Sequence, residues 1–220
     1  MNQLKKRQTG PVRAAGSLVR ASFLFGLALL GSAAIAIGAD SFAIDPVHSG
    51  IEFSVRHLLI SQVKGKFLEF SGTILYDDED LSRSRVEITI QVKSIDTGNE
   101  GRDGHLRGAE FFDVENHSEI TFQSEEIRKR GEKYIAVGNL TIRGVSRRIE
   151  LPFEVLGTVN DPWGNVRIGV RAEITIDRQD FGVSWSKTLD NGGLVVGNEV
   201  KIELNLEAMH PIEKPEENQS

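Results

Sequence analysis

The 220-residue chain contains no cysteine. That absence excludes disulfide scaffolds, thiol nucleophiles, zinc ribbons, iron–sulfur clusters and a lipidated N-terminal cysteine. Tryptophan and tyrosine number only two each. A membrane-spanning barrel wears girdles of these residues at both interfaces, so this chain does not read as one. Acidic residues are missing from the first 39 positions, which carry Lys5, Lys6, Arg7, Arg13 and Arg20. Without that leader, 21 basic residues face 32 acidic ones, a net charge of −11 over 181 residues. Nucleic-acid binders depend on cationic surface to displace counterions, so no nucleic-acid partner is expected. No long amphipathic helical pattern follows the leader either.

The leader itself has a recognisable layout. Ala21 to Ile37 is an uncharged apolar run, preceded by the basic residues and followed by small residues up to Ala39. This is the arrangement of a secretory signal peptide over residues 1–39. Its apolar stretch is slightly short for a hydrocarbon core of about 30 Å. The reading is therefore export by cleavage after Ala36 or Ala39, a periplasmic location and no stable membrane span afterwards. Residues 40–209 then form one domain, and 210–220 a polar tail.

The domain alternates with period two. Ile51, Phe53 and Val55 interleave with Glu52, Ser54 and Arg56, and Val86, Ile88, Ile90 and Val92 with Glu87, Thr89 and Gln91. The same holds for Ile149 to Val155, Val166 to Ile176 and Val200 to Ala208. Alternation of this kind gives strands with one dry and one wet face. About eight strands follow, near 42–46, 50–57, 63–76, 84–93, 119–126, 133–143, 147–159, 165–177 and 198–209, the first two counting as one broken strand. Parity changes between Phe67 and Phe70, and between Val137 and Leu140. Bulges near Leu68-Glu69 and Gly138-Asn139 would keep both halves facing inward. Asp96 to Asp113 lacks the period; Thr97 or Asn99 is placed to cap a short helix over Glu100–Ala109. The fold class is mainly β, an antiparallel sheet with a helical insertion, closed or sandwiched to bury its dry face.

A closed barrel of eight strands is either filled by its own side chains or holds one small ligand. Eleven residues at 166–176, tilted near 40°, make a wall about 28 Å deep. Such a bore suits a chain-like apolar ligand, because burial is worth about 0.8 kcal/mol per methylene. Periodicity alone favours a filled core. Within the insertion, Arg102, Asp103, His105 and Arg107 fit two roles: a clamp for an anionic headgroup, or a salt-bridged cap in which Asp103 pairs Arg107 or accepts from backbone amides. The five histidines show no metal-ligand spacing, so no metal and no cofactor is expected. Asp45, His48 and Ser49 invite a hydrolase reading, but there is no nucleophile elbow.

The motifs taken in order carry a resemblance. Ile44-Asp45-Pro46-Val47-His48-Ser49 is followed by Phe53-Ser54-Val55-Arg56-His57-Leu58 and Gly65-Lys66-Phe67. Next come Ser94-Ile95-Asp96-Thr97, Arg102 to Arg107, Glu110-Phe111-Phe112-Asp113, Gly138 to Val145, and Arg178-Gln179-Asp180-Phe181-Gly182. Together they resemble the YceI-like family of bacterial periplasmic proteins over residues 42–207. The resemblance implies an antiparallel lipocalin-like β-barrel that holds a polyisoprenoid or similar long-chain lipid, without catalysis, and it suggests a homodimer.

Alternation and resemblance together give the expected ligand-binding residues. Phe53, Val55, Phe67, Ile88, Ile90, Phe122, Ile142, Phe153, Val170, Ile174, Ile202 and Leu204 are to face the tunnel. Phe111, Phe112, Phe181 and Trp185 are to line or seal an opening, and Arg102 and His105 are to meet the headgroup. The expected partner is a long-chain isoprenoid or fatty-acyl lipid. The rival readings are a filled barrel acting as an interaction module and an enzyme acting on a lipid-borne ester.

Overall fold

A computed structural model describes residues 39–131, 133–188 and 194–212. The leader's apolar run, residues 189–193 and the tail beyond 212 lie outside the described residues. The alternating segments all become strands: β1 (Asp40–Ile44), β2 (Gly50–His57), β3 (Ser61–Phe67), β4 (Phe70–Tyr76), β5 (Arg85–Gln91), β6 (Ile95–Asp96), β7 (Glu119–Arg130), β8 (Lys133–Ile142), β9 (Val145–Asn160), β10 (Asn165–Asp177) and β11 (Val196–Pro211). One helix, α1 (Glu100–Arg107), fills the gap in the alternation, and Asn99 caps it by accepting from the Arg102 amide.

Pairing is antiparallel throughout, in the order β1-β4-β5-β7-β8-β9-β10-β11, and β11 returns to β1. The sheet is thus a closed antiparallel barrel. Three of its eight wall positions are broken strands. The first half of β11 pairs β2 (Ile202 with Phe53), and its end pairs β1 (Ala208 with Ile44), so β1 and β2 share one position. β3 and β4 share the next, and β5 and β6 the one after it.

Side chains repair the ladder at two of these breaks. In the first, Asp45 accepts from the Val47 amide across Pro46, and the Ser49 hydroxyl bonds the backbone of Glu207. In the second, the amides of Leu68 and Glu69 both donate to the Ser94 hydroxyl, which in turn donates to the Gln91 carbonyl. Buried backbone groups left without ladder partners need such substitutes. The parity switch between Phe67 and Phe70 is therefore a strand break at Leu68-Glu69, and both rings are buried.

The second expected bulge lies on the other strand. β8 runs without a slip against β9, from Tyr134 opposite Phe153 to Ile142 opposite Val145. The extra residue is Glu125 on β7, between Ser124 opposite Gly138 and Glu126 opposite Val137. It turns Ile127 into the interior cluster and leaves Ile135 and Val137 outside that cluster, contrary to expectation, although both are buried. Their cross-strand neighbours include Glu126, Arg128 and Glu150, which pair with one another. Gly138 marks the site for a steric reason: a Cβ would stand 2.2 Å from the Gln123 carbonyl oxygen.

Candidate functional site

The inward residues do not fill the barrel. An apolar cavity of about 150 Å³ occupies the end beneath α1, and a second of about 50 Å³ lies towards the other end. Ile88, Leu151 and Leu204 line both, so these three side chains stand between the two lobes. Aromatic rings gather at the α1 end: Phe53 and Phe67 lie 5.7 Å apart, and Phe67 and Phe112 6.4 Å. The axis between the lobes is left to aliphatic side chains.

Most residues picked out by alternation stand in this wall. Phe53, Val55, Phe67, Ile90, Phe122, Ile142, Ile174 and Ile202 line the larger lobe, Phe153 and Val170 the smaller, and Ile88 and Leu204 both. Phe111, Phe112 and Phe181 line the larger lobe where α1 and the 178–183 turn close over it. Trp185 lies outside the lining and packs 5.1 Å from Phe111. Ile149, Leu151 and Ile176 also line the bore, and their parity already marked them; Leu140 does too, in keeping with its even position. Val183, outside any strand, carried no periodic signal.

The polar residues of the insertion hold the mouth together. Arg102 donates from Nε to the Thr97 hydroxyl at 2.7 Å and from its terminal nitrogen to the Thr97 carbonyl. Buried Asp103 accepts from the Thr97 amide and hydroxyl and does not pair with Arg107. Arg107 instead reaches the carbonyls of Lys93 and Ile95. His105 meets Glu110 at 2.8 Å and packs edge-on against Phe111 and Trp185. Arg102 and His105 both stand outside the cavity lining.

Two further motifs fasten the same end. Arg143 and Gly144 form the β8–β9 turn, both at positive φ, and Arg143 donates to the carbonyls of Gly182 and Ala109. Arg178, 6% exposed, contributes to the bore wall while its nitrogens donate to the carbonyls of Val183 (2.5 Å) and Gly197 (2.9 Å). Burial pulls its pKa below the usual guanidinium value, against the opposing charge of Asp177. Periodicity gave no hint of this residue, because it follows the strand.

Ionisable groups cluster at the β1–β11 seam. Arg167 bonds Asp45 at 2.9 Å, Asp161 at 2.7 Å, and Glu207. His48 bonds Asp45 at 2.8 Å; this contact, helped by Arg167 and the Val47 amide and opposed by burial, lowers the Asp45 pKa to about 2. Burial disfavours the charge of Asp161, but Asn165, Arg167 and two amides outweigh it and hold its carboxyl well below the usual range. Oxygen and nitrogen atoms of Asp45, His48 and Glu207 lie within 4.8 Å of one another, as a metal site would need. The Arg167 guanidinium already neutralises two of the three. The Ser49 hydroxyl is bonded to Glu207 backbone atoms.

Comparison with known proteins agrees with this geometry. Residues 42–208 match the model of the YceI-like domain. A UPF0312 protein of Pectobacterium atrosepticum is 40% identical over 162 residues, which cover 73% of this chain and 84% of the relative. The crystal structure of Burkholderia cenocepacia BcnA is 25% identical with a TM-score of 0.67, covering 75% of this chain and 99% of that one. A polyisoprenoid binding domain from Saccharophagus degradans shares the fold at 19% identity and a TM-score of 0.57, covering 77% of this chain and 98% of that domain.

Proposed function

The chain belongs to the YceI-like family, and from that premise we propose that its barrel binds a long-chain isoprenoid, or a similar amphiphilic lipid, as a carrier without catalytic turnover. The observation that carries this reading is the pair of adjoining cavities along the barrel interior, lined almost wholly by apolar residues from every strand position. A compact solute would fill one lobe and leave the far lobe bare. A flexible chain threaded past Ile88, Leu151 and Leu204 occupies both. Each methylene so buried gains about 0.8 kcal/mol, which over a long chain exceeds the cost of association.

The polyisoprenoid binding domain of Saccharophagus degradans, which has the same fold, supports this choice of ligand. The signal-like leader supports a periplasmic setting for it. Arg102, Asp103 and Arg107 bond to backbone and Thr97 groups around the mouth, so their role here is to hold α1 over the bore. The test is organic extraction of protein purified from the periplasm, followed by lipid mass spectrometry. The reading expects a long-chain lipid at up to one per chain. Absence of any such lipid, together with failure to take up prenyl alcohols, would refute it.

A further inference from the structure

The β2–β3 hairpin ends in a turn that its sequence does not favour. Leu58 and Leu59 sit at φ 52° and 64°, and the Ile60 amide closes the turn on the His57 carbonyl at 3.2 Å. Such a turn, left-handed at both central positions, is normally made by Asn-Gly or Gly-Gly. A leucine there pushes its Cβ against the backbone. Leu58 is half-buried, but Leu59 and Ile60 do nothing for the core: Leu59 is 51% exposed and Ile60 85%. The fold therefore carries strain in order to present apolar side chains to the outside.

The place of the turn gives those side chains a use. The Leu58 amide bonds the Val195 carbonyl at 2.9 Å, and Val196 pairs with His57. Val196 and nearby Val55 line the larger lobe of the bore. The greasy tip is thus the lip of the ligand cavity. Its charge also differs from that of the domain. No acidic residue occurs between Glu52 and Glu69, while Arg56 and Lys64 are exposed on the hairpin. Exposed Lys187 bonds Val195 through its carbonyl. Glu199, in the bulge opposite Arg56, is an acidic neighbour across the strand pair. The domain as a whole is acidic, so a local excess of basic residues is what lets this end approach an anionic surface.

We infer that the Leu58-Leu59-Ile60 tip docks on the surface of an anionic phospholipid bilayer, inserting its side chains among the acyl chains so that the bore opens onto the membrane. The basic residues behind the tip meet the phosphate layer, as in other interfacial anchors. Docking belongs to the hairpin and needs no bound lipid, so it stands or falls separately from the reading of the bore.

The experiment is vesicle flotation of the delipidated mature protein. Two vesicle types serve: pure phosphatidylcholine, and equal parts phosphatidylcholine and phosphatidylglycerol, neither containing prenyl lipid. Wild-type protein is expected to float with the anionic vesicles, less with the neutral ones, and less again at 1 M salt, where screening shortens to about 3 Å. Leu59→Gly relieves the backbone and removes the side chain. It is expected to bind vesicles about tenfold more weakly or worse, with a Tm no lower than that of wild type. Ile60→Trp is expected to show a blue-shifted emission on the anionic vesicles, which reads insertion directly.

Failure of the wild type to float, or a Leu59→Gly protein that floats as well as wild type, overturns the inference. So does a wild-type dimer that Leu59→Gly dissociates, since a second copy would then cover the tip. Protein that takes up prenyl alcohol from solution yet ignores vesicles refutes the docking tip alone. Protein that docks but holds no prenyl chain refutes the bore alone.

Discussion

Ser49 and Glu207 exchange two hydrogen bonds across the barrel seam: the hydroxyl donates to the Glu207 carbonyl at 3.1 Å and accepts from its amide at 2.9 Å. One side chain thus imitates a ladder pair at the point where β1 has ended and β2 has not begun. This explains why a serine closes the Asp45-to-Ser49 segment. Ser49→Ala leaves the Glu207 amide unpaired, while the Glu207 carbonyl keeps the Asp45 amide at 2.8 Å, and is expected to cost about 1–3 kcal/mol. Thermal unfolding should show a Tm lower by about 2–4 °C per kcal/mol lost, and Ser49→Thr should recover part of it.

Acid should weaken the same seam. The folded-state pKa of Asp45 is lowered to about 2, first by His48 and then by Arg167. A carboxyl depressed in the folded state stabilises at pH above its unfolded value near 4, and that contribution is lost as pH falls towards 2. Asp161 and Asp77 are shifted in the same direction. Tm is expected to fall between pH 4 and pH 2. In Asp45→Asn, Tm should be lower at neutral pH and its decline over that acid range shallower than in wild type.

Gly138 should be irreplaceable. A Cβ there would stand 2.2 Å from the Gln123 carbonyl oxygen and 2.6 Å from the Ser124 Cα, both backbone atoms of the bulged strand. Gly138→Ala has to straighten the bulge or separate β7 from β8, and either turns Ile127 out of the core. A loss above about 3 kcal/mol is expected, within the large-effect class for strained or overpacked sites. Chemical denaturation with an unchanged m-value would measure it.

Ala172 offers a way to shorten the bore without touching the mouth. It is buried in the wall of the smaller lobe, opposite Leu204 and Phe153. Ala172→Phe places a ring in that lobe at an overpacking cost of about 1–3 kcal/mol. The protein should still fold, and the lipids it retains should be shorter than those of wild type. An unchanged distribution of chain lengths by mass spectrometry would show that the smaller lobe is not used.

The strands were legible because half-buried sheets impose a period of two, and because residues such as Val166 to Ile176 obey it without a slip. The helix was legible from its cap, Asn99. What the alternation concealed was which strand of a pair carries a bulge. A parity change shows that the register slips, but Gly138 accommodates a bulge whose extra residue is Glu125, one strand away. The placing of Ile135 and Val137 outside the interior cluster followed from that. The inward rows of the bore were legible for the same reason as the strands. The mouth was not: Arg178, Val183 and the partners of Arg102 and Arg107 are set by long-range contacts with backbone carbonyls, which leave no periodic trace.

Titration of the delipidated protein with prenyl alcohols of increasing length tests the central claim most directly. Filling both lobes predicts affinity that rises at least severalfold with each added isoprene unit, given about 0.8 kcal/mol per methylene before ordering costs. It should level off once the chain has passed Ile88, Leu151 and Leu204 and filled the far lobe. No binding at any length, or an affinity indifferent to chain length, would contradict the account.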